Sequence, residues 1–125
     1  MNRIAEDVFH LPLMPRDGVN AYVIGDVLVD AGYKTHGKKI PGKLSGHTIT
    51  AHAITHAHPD HVGGSKAVCE ALGVPFWAPK GDAAAAERGR TVGPPGRLKG
   101  AIEKGGGFPA VHVDRPDNRQ HALRL

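Results

Sequence analysis

The sequence predicts an α/β (α+β) fold in which helices flank a mixed sheet. Apolar segments 19–24 and 27–30 are separated by Gly25-Asp26, which is a short hairpin signal. Residues 48–55 alternate in the manner of a strand and carry several β-branched side chains. Residues 65–72 place apolar side chains four positions apart, which is typical of a helix.

The remaining segments complete this order of elements. In chain order we predict a first strand over 4–13, a short helix near 41–44, a short strand over 75–78, a helix over 81–87 with four successive alanines, and a last strand over 110–113. Residues 88–107 contain seven glycines and five cationic side chains and are predicted to form a loop or lid. Residues 114–125 are polar and show no regular pattern, so we expect an irregular tail after a domain spanning 1–113.

Length and composition narrow the class of protein. A chain of 125 residues supports one domain, and its 40% hydrophobic and 5% aromatic content leaves the core to aliphatic side chains. One cysteine, Cys69, excludes an internal disulfide and a cysteine-based zinc site. The N-terminus lacks a secretory pattern and no segment reaches the 18 apolar residues of a membrane span, so we expect a cytoplasmic protein without a membrane partner.

The net charge of +4 has two interpretations. It could attract anionic substrates or nucleic acid, or it could simply reflect a solvated basic surface. The basic segment 88–107 has no aromatic side chains between its cations, which argues against nucleic-acid binding.

Residues 55–64 carry the strongest chemical signal. This segment places His56, His58, Asp60 and His61 within six positions. Neutral imidazole and carboxylate are the ligands that Zn²⁺ and similar ions take in catalytic sites. At the end of a strand His56 and His58 point the same way, and Pro59 forces a turn that returns the other two towards them. The spacing predicts two adjacent metal ions, one for each pair of ligands, with a bridging water; the alternative is a histidine-rich surface loop.

Asp30 follows the predicted strand 27–30. A carboxylate there is costly unless it is paired. It is either a support for the histidines or a solvent-facing turn residue.

The segment 55–64, together with 20–24 and 27–32, resembles the metallo-β-lactamase superfamily of metal-dependent hydrolases. The resemblance implies the first half of a four-layer αββα sandwich. It implies His56 and His58 as ligands of one ion, and Asp60 and His61 as ligands of a second, with Zn²⁺ expected and Fe or Mn as alternatives. Asp60 would also act in catalysis by orienting the attacking hydroxide, and Asp30 would support the ligands. The substrate would be a small molecule with an ester, thioester, lactam or phosphodiester bond.

The family's later ligands cannot be identified in this chain. His112 lies in an apolar pattern, and His121, Asp114 and Asp117 lack the family's turn. We therefore expect a truncated or frameshifted chain that binds metal weakly. The alternative function is a catalytically incomplete fragment that associates with another chain. Without a second half, the inward side chains of the 19–24, 27–30 and 48–55 strands would face water and favour a homo-oligomer or a partly folded chain. The other alternative is a complete small domain in which residues 88–125 cover the sheet.

Overall fold

The computed structural model describes residues 1–44, 46–89 and 107–116. The strands are β1 (Asn2–Ala5), β2 (Val8–Pro12), β3 (Asn20–Ile24), β4 (Val27–Val29), β5 (Ala51–Ala53), β6 (Phe76–Ala78) and β7 (Arg115–Pro116), and the helices are α1 (Ile40–Lys43), α2 (Pro59–Val62), α3 (Ser65–Leu72) and α4 (Ala83–Arg88). Short 3-10 turns cover Pro15–Asp17 and Lys80–Asp82. Within these residues the strands form a seven-stranded sheet in chain order, antiparallel from β1 to β4 and parallel from β4 to β7. The predicted mixed sheet with flanking helices is confirmed.

The N-terminal segment forms two strands where the sequence suggested one. The prediction of a single strand over 4–13 is wrong, because β1 turns back on β2 with Arg3 opposite Phe9. Asp7 in the turn has a φ of 58°, a left-handed conformation that aspartate tolerates better than most residues.

The predicted hairpin between β3 and β4 is confirmed. Tyr22 lies opposite Val29, and Gly25 adopts a φ of 63° in the connection. A left-handed residue suits a tight turn, and glycine adopts that conformation without steric cost.

One face of the sheet carries the helices. On that face Val23, Leu28 and Phe76 are at most 1% exposed. The core continues onto the helices through Ile40 of α1 and Val68 of α3, both fully buried. These contacts fix α3 against the sheet directly behind the loop that contains the histidines.

The opposite face of the sheet is less exposed than the sequence suggested. Val27, Val29, Ala51 and Ala53 pack together there and are at most 5% exposed, with Tyr22, Ile24 and Trp77 around them. The prediction that these inward side chains face water is therefore wrong for the centre of this face. A homo-oligomer through it stays a prediction.

The C-terminal part of the described chain differs from its prediction. Residues 110–113 are not a strand, because Val111 N–H donates to the Ala86 carbonyl at 3.1 Å and Val113 N–H to the Glu87 carboxylate at 3.0 Å. The last strand, β7, instead begins at Arg115 and pairs with β6. Most of the predicted lid, residues 90–106, lies outside the described residues.

In the ranges described above, the structure has no helix that is both long enough and apolar enough to span a bilayer.

Candidate metal centre

The predicted ligands lie on the loop that follows β5 and on α2. β5 runs parallel to β4, with Ala53 opposite Val29, so the two strands end side by side. Asp30 follows β4, and the Asp30 N–H donates to the Ala53 carbonyl at 2.8 Å. The carboxyl ends of neighbouring parallel strands commonly carry binding sites in α/β proteins. This topology places Asp30 next to the beginning of the histidine loop.

Asp30 is the structural centre of the site. Its carboxylate is buried, with the residue 4% exposed. It accepts the backbone N–H of Thr55 at 2.8 Å, the Thr55 hydroxyl at 3.0 and 3.2 Å, and His61 Nδ1 at 2.9 Å. The Asp30 backbone has a φ of 66°, which costs a non-glycine residue about 1 kcal/mol. Asp30 is therefore not a solvent-facing turn residue. Its contacts support the interpretation that it orients the histidine loop.

His61 is oriented by this carboxylate. The hydrogen bond to Asp30 raises the pKa of His61 above its usual value, while partial burial opposes the shift. Donation from Nδ1 leaves Nε2 on the other side of the ring, 3.5 Å from Asp60 Oδ2. Metal-binding histidines commonly donate one ring nitrogen to a carboxylate, as His61 Nδ1 does to Asp30, which leaves the other nitrogen for the metal.

His56 is oriented by the same carboxylate through Thr55. The Thr55 hydroxyl donates to Asp30, and its oxygen lies 3.0 Å from His56 Nδ1. Desolvation by burial lowers the pKa of His56, and the neighbouring imidazoles of His61 and His58 lower it further. A neutral ring with Nδ1 engaged leaves Nε2 as a lone-pair donor.

The three imidazoles form one cluster. The ring centroid of His56 lies 4.0 Å from that of His61 and 4.5 Å from that of His58, with interplanar angles of 47° and 88°. With Asp60 beside His61, the structure brings all four sequence-predicted residues together. His56 contacts a ring of each predicted pair, and the division of the ligands between two ions stays a prediction. Their role as metal ligands stays a prediction.

The backbone explains why the segment turns here. His58 has an extended conformation (φ −116°, ψ 152°) before Pro59, which begins α2. Asp60 and His61 therefore lie on a helical turn, where the sequence suggested an irregular one. The His61 carbonyl accepts the Ala31 N–H at 2.7 Å, which ties α2 to the residue after Asp30.

Asp82 is a residue of the site that the sequence did not reveal. Its Oδ1 accepts the backbone N–H of Ala57 at 3.1 Å, in the middle of the histidine loop. Asp82 stands before α4, where an aspartate usually caps the helix, but its side chain makes no capping bond. No local signal distinguishes these two uses, because the partner lies 25 residues away in sequence.

The donor side chains have the chemistry of divalent-metal ligands, but among the described residues too few of them converge on one point. Across residues 1–44, 46–89 and 107–116, no group of three or more His, Cys, Asp or Glu side chains is placed to hold one ion. A tetrahedral zinc site takes three or four protein ligands. This part of the chain therefore does not form a complete metal site by itself.

The other candidate ligands lie elsewhere or outside the description. His112 is exposed, and its ring nitrogens lie 3.2 Å from Glu87 and 3.9 Å from Asp114 rather than near the histidine cluster. Asp114 Oδ2 accepts the Phe76 N–H at 2.8 Å. His121 and Asp117 lie outside the described residues.

Comparison with known proteins defines the family. The family model for the metallo-beta-lactamase superfamily matches residues 14–123. The chain belongs to this superfamily. A comparison with curated protein sequences found no match.

Solved structures share the fold. A subclass B3 metallo-beta-lactamase of Bradyrhizobium japonicum is 26% identical with a TM-score of 0.71, over 90% of this chain and 42% of that chain. A beta-lactamase from Chitinophaga pinensis is 24% identical with a TM-score of 0.73, over 92% and 44%. A metallo-beta-lactamase from Cronobacter sakazakii with a HARLDQ motif is 23% identical with a TM-score of 0.71, over 91% and 46%. The chain thus spans somewhat less than half the length of these structures.

Proposed function

We propose that this chain supplies the histidine half of a metal-dependent hydrolase site that acts on small molecules. His56, His58, Asp60 and His61 would hold one or two Zn²⁺ ions, with Fe or Mn as alternatives. The remaining ligands would come from residues outside the described ranges or from another chain.

One observation carries this proposal: a single buried carboxylate orients two of the histidines. Asp30 bonds directly to His61 Nδ1 and reaches His56 through the Thr55 hydroxyl. Each ring then has its Nε2 available, and the two ring centroids lie 4.0 Å apart. A histidine-rich surface loop with no binding role has no need of a buried acid in a strained backbone conformation.

The described residues have separate tasks in this proposal. Bound zinc would supply Lewis-acid activation of water and of the substrate's carbonyl or phosphoryl oxygen. Asp30 and Thr55 position imidazoles, and burial favours the neutral His56 ring that a cation requires. Asp60 has an exposed carboxylate beside His61 and would accept a proton or hydrogen bond from the attacking water.

The bond to be cleaved is one with an electrophilic carbon or phosphorus, as in an ester, thioester, lactam or phosphodiester. The three structural relatives are beta-lactamases, which makes a lactam such as nitrocefin the first probe. The cytoplasmic location expected from the sequence remains part of this proposal.

The alternative is a fragment that binds metal weakly or pairs with another chain and has no activity alone. The described residues favour it because they contain no group of three converging ligands. The match to less than half the length of the solved structures favours it too.

Hydrolysis assays separate the two functions. The purified chain would be given nitrocefin, a thioester, a lactone and bis(p-nitrophenyl) phosphate, each with added Zn²⁺ or with a chelator. A zinc-dependent rate that disappears in His58→Ala and persists in His112→Ala is the result expected of the hydrolase. Rates equal to the buffer blank for all four compounds would reject it in favour of the fragment.

A further inference from the structure

The loop between β4 and α1 forms a basic groove against α3. The groove has a volume of about 490 Å³, and Lys34, Lys38 and Lys66 contribute to its lining. Glu70 is the carboxylate among its lining residues. All three lysines are exposed at the surface.

Among the described residues, no acid forms an ion pair with these lysines. In the part of the chain that the structure describes, no carboxylate lies within ion-pair distance of any of the three. Three ammonium groups against one carboxylate leave a surplus of about two positive charges around a concave surface. Such a surface attracts an anion, and its field is strongest inside the concavity.

The groove has a fixed backbone framework. A Cβ atom on Gly63 would lie 2.5 Å from the backbone nitrogen of Lys34, and one on Gly37 would lie 2.7 Å from the carbonyl oxygen of Gly64. The Gly64 N–H also donates to the Gly32 carbonyl at 3.3 Å. Glycine at these positions lets the lysine-bearing loop approach the start of α3 much more closely than any other residue would allow.

The groove adjoins the histidine cluster. Gly63 lines the groove and is two residues beyond His61, so their Cα atoms are less than about 8 Å apart. A substrate long enough to extend from the histidines to this groove would place a further group at the lysines.

We propose that this groove binds a dianionic oxyanion, of the phosphate type, on the substrate of the neighbouring site. Lysine binds phosphate as a compact point charge, and two surplus positive charges match a dianion better than a monoanionic carboxylate. The link to a substrate rests on the proposed function, whereas the binding of the anion does not.

Isothermal titration with inorganic phosphate tests the groove, using the metal-free chain at low ionic strength. Lys38→Gln and Lys66→Gln remove groove charges, while Lys43→Gln and Lys80→Gln remove the same charge from exposed positions that do not line it. Circular dichroism would establish that every variant is folded. We expect saturable binding that each groove variant weakens about tenfold, as for the loss of a charged hydrogen bond, with both controls within about twofold of the parent chain.

Three results would overturn the proposal: no saturable binding, an equal loss in Lys43→Gln, or acetate binding as tightly as phosphate. Zinc uptake is measured separately without phosphate, and Lys38→Gln and Lys66→Gln should retain it. If the parent chain takes up zinc but does not bind phosphate, only the proposal for the groove is rejected. If the parent chain binds phosphate but takes up no zinc, only the proposed metal site is rejected.

Discussion

His52 is the buried titratable group that should make this fold sensitive to acid. It lies fully buried in β5, where Nδ1 donates to the Leu28 carbonyl at 2.8 Å and Nε2 accepts the Ser65 hydroxyl at 2.7 Å. Burial lowers the pKa of His52 from 6.5 to about 4, although the Leu28 carbonyl and the charge of Asp30 oppose the shift. The folded state therefore keeps this ring neutral at pH values where the unfolded chain protonates it.

The direction and size of the change in the free energy of unfolding follow from this difference in the pKa of His52 between the folded and unfolded states. Well above pH 6.5 both states hold a neutral ring, and His52 contributes no pH dependence. As the pH falls from 6.5 towards 4, the unfolded state binds the extra proton, so the free energy of unfolding decreases. At about 1.36 kcal/mol per pH unit, the full loss below pH 4 is about 3 kcal/mol, and about 2 kcal/mol of it is reached at pH 4.5.

Urea unfolding at pH 7 and pH 4.5 measures this loss, followed by circular dichroism. His52→Gln removes the titration; it should be less stable than the parent at pH 7 but should lose about 2 kcal/mol less on acidification. His112→Gln, at an exposed histidine, is the matched control and should lose as much as the parent. An equal acid-induced loss in His52→Gln and the parent would refute the assignment of this sensitivity to His52.

Other perturbations test the loop and its framework. Asp82→Ala should lower the free energy of unfolding by about 1–2 kcal/mol in urea titrations, because it removes the hydrogen bond that the Ala57 N–H donates to Asp82; a change below about 0.5 kcal/mol would contradict that bond's importance. Gly64→Ala should cost about 2 kcal/mol or more, since its Cβ would lie 2.4 Å from the Ala31 carbonyl oxygen while its φ of −89° is open to alanine; an unchanged melting temperature would mean that the loop shifts freely. Burial and nearby carboxylates raise the pKa of the Cys69 thiol to about 12, so iodoacetamide at pH 8 should modify it at least about a hundredfold more slowly than free cysteine, and a rate near that of free cysteine would contradict its burial.

The sequence predicts the local elements of this fold well. The α3 helix begins and ends where the apolar spacing and Gly73 place it, with Gly73 at a φ of 65°. The prediction of a strand over 110–113 was wrong, because alternating apolar residues need not form a strand. Val111 and Val113 do enter the core, but α4 rather than a neighbouring strand provides their hydrogen-bond partners.

The site was predictable where its residues lie within one segment. Residues 56–61 come together because a strand end, a proline and a helical turn are all encoded locally. Asp30 remained ambiguous, since only the parallel pairing of β4 with β5 shows that it faces Thr55. Asp82 was missed, and the lysine groove was not foreseen, because both depend on contacts between segments that are distant in sequence.

Zinc titration of the 125-residue chain tests the metal site most directly. Calorimetry would compare the parent with His56→Ala and His58→Ala, and with His112→Ala as a matched control outside the cluster. Because few ligands converge on each ion, we expect weak uptake, with a dissociation constant of about micromolar or higher. We expect each cluster variant to weaken uptake by about tenfold or more and the control to leave it unchanged. Zinc uptake that survives His56→Ala and His58→Ala, or that is lost equally in His112→Ala, would contradict a metal centre at these histidines.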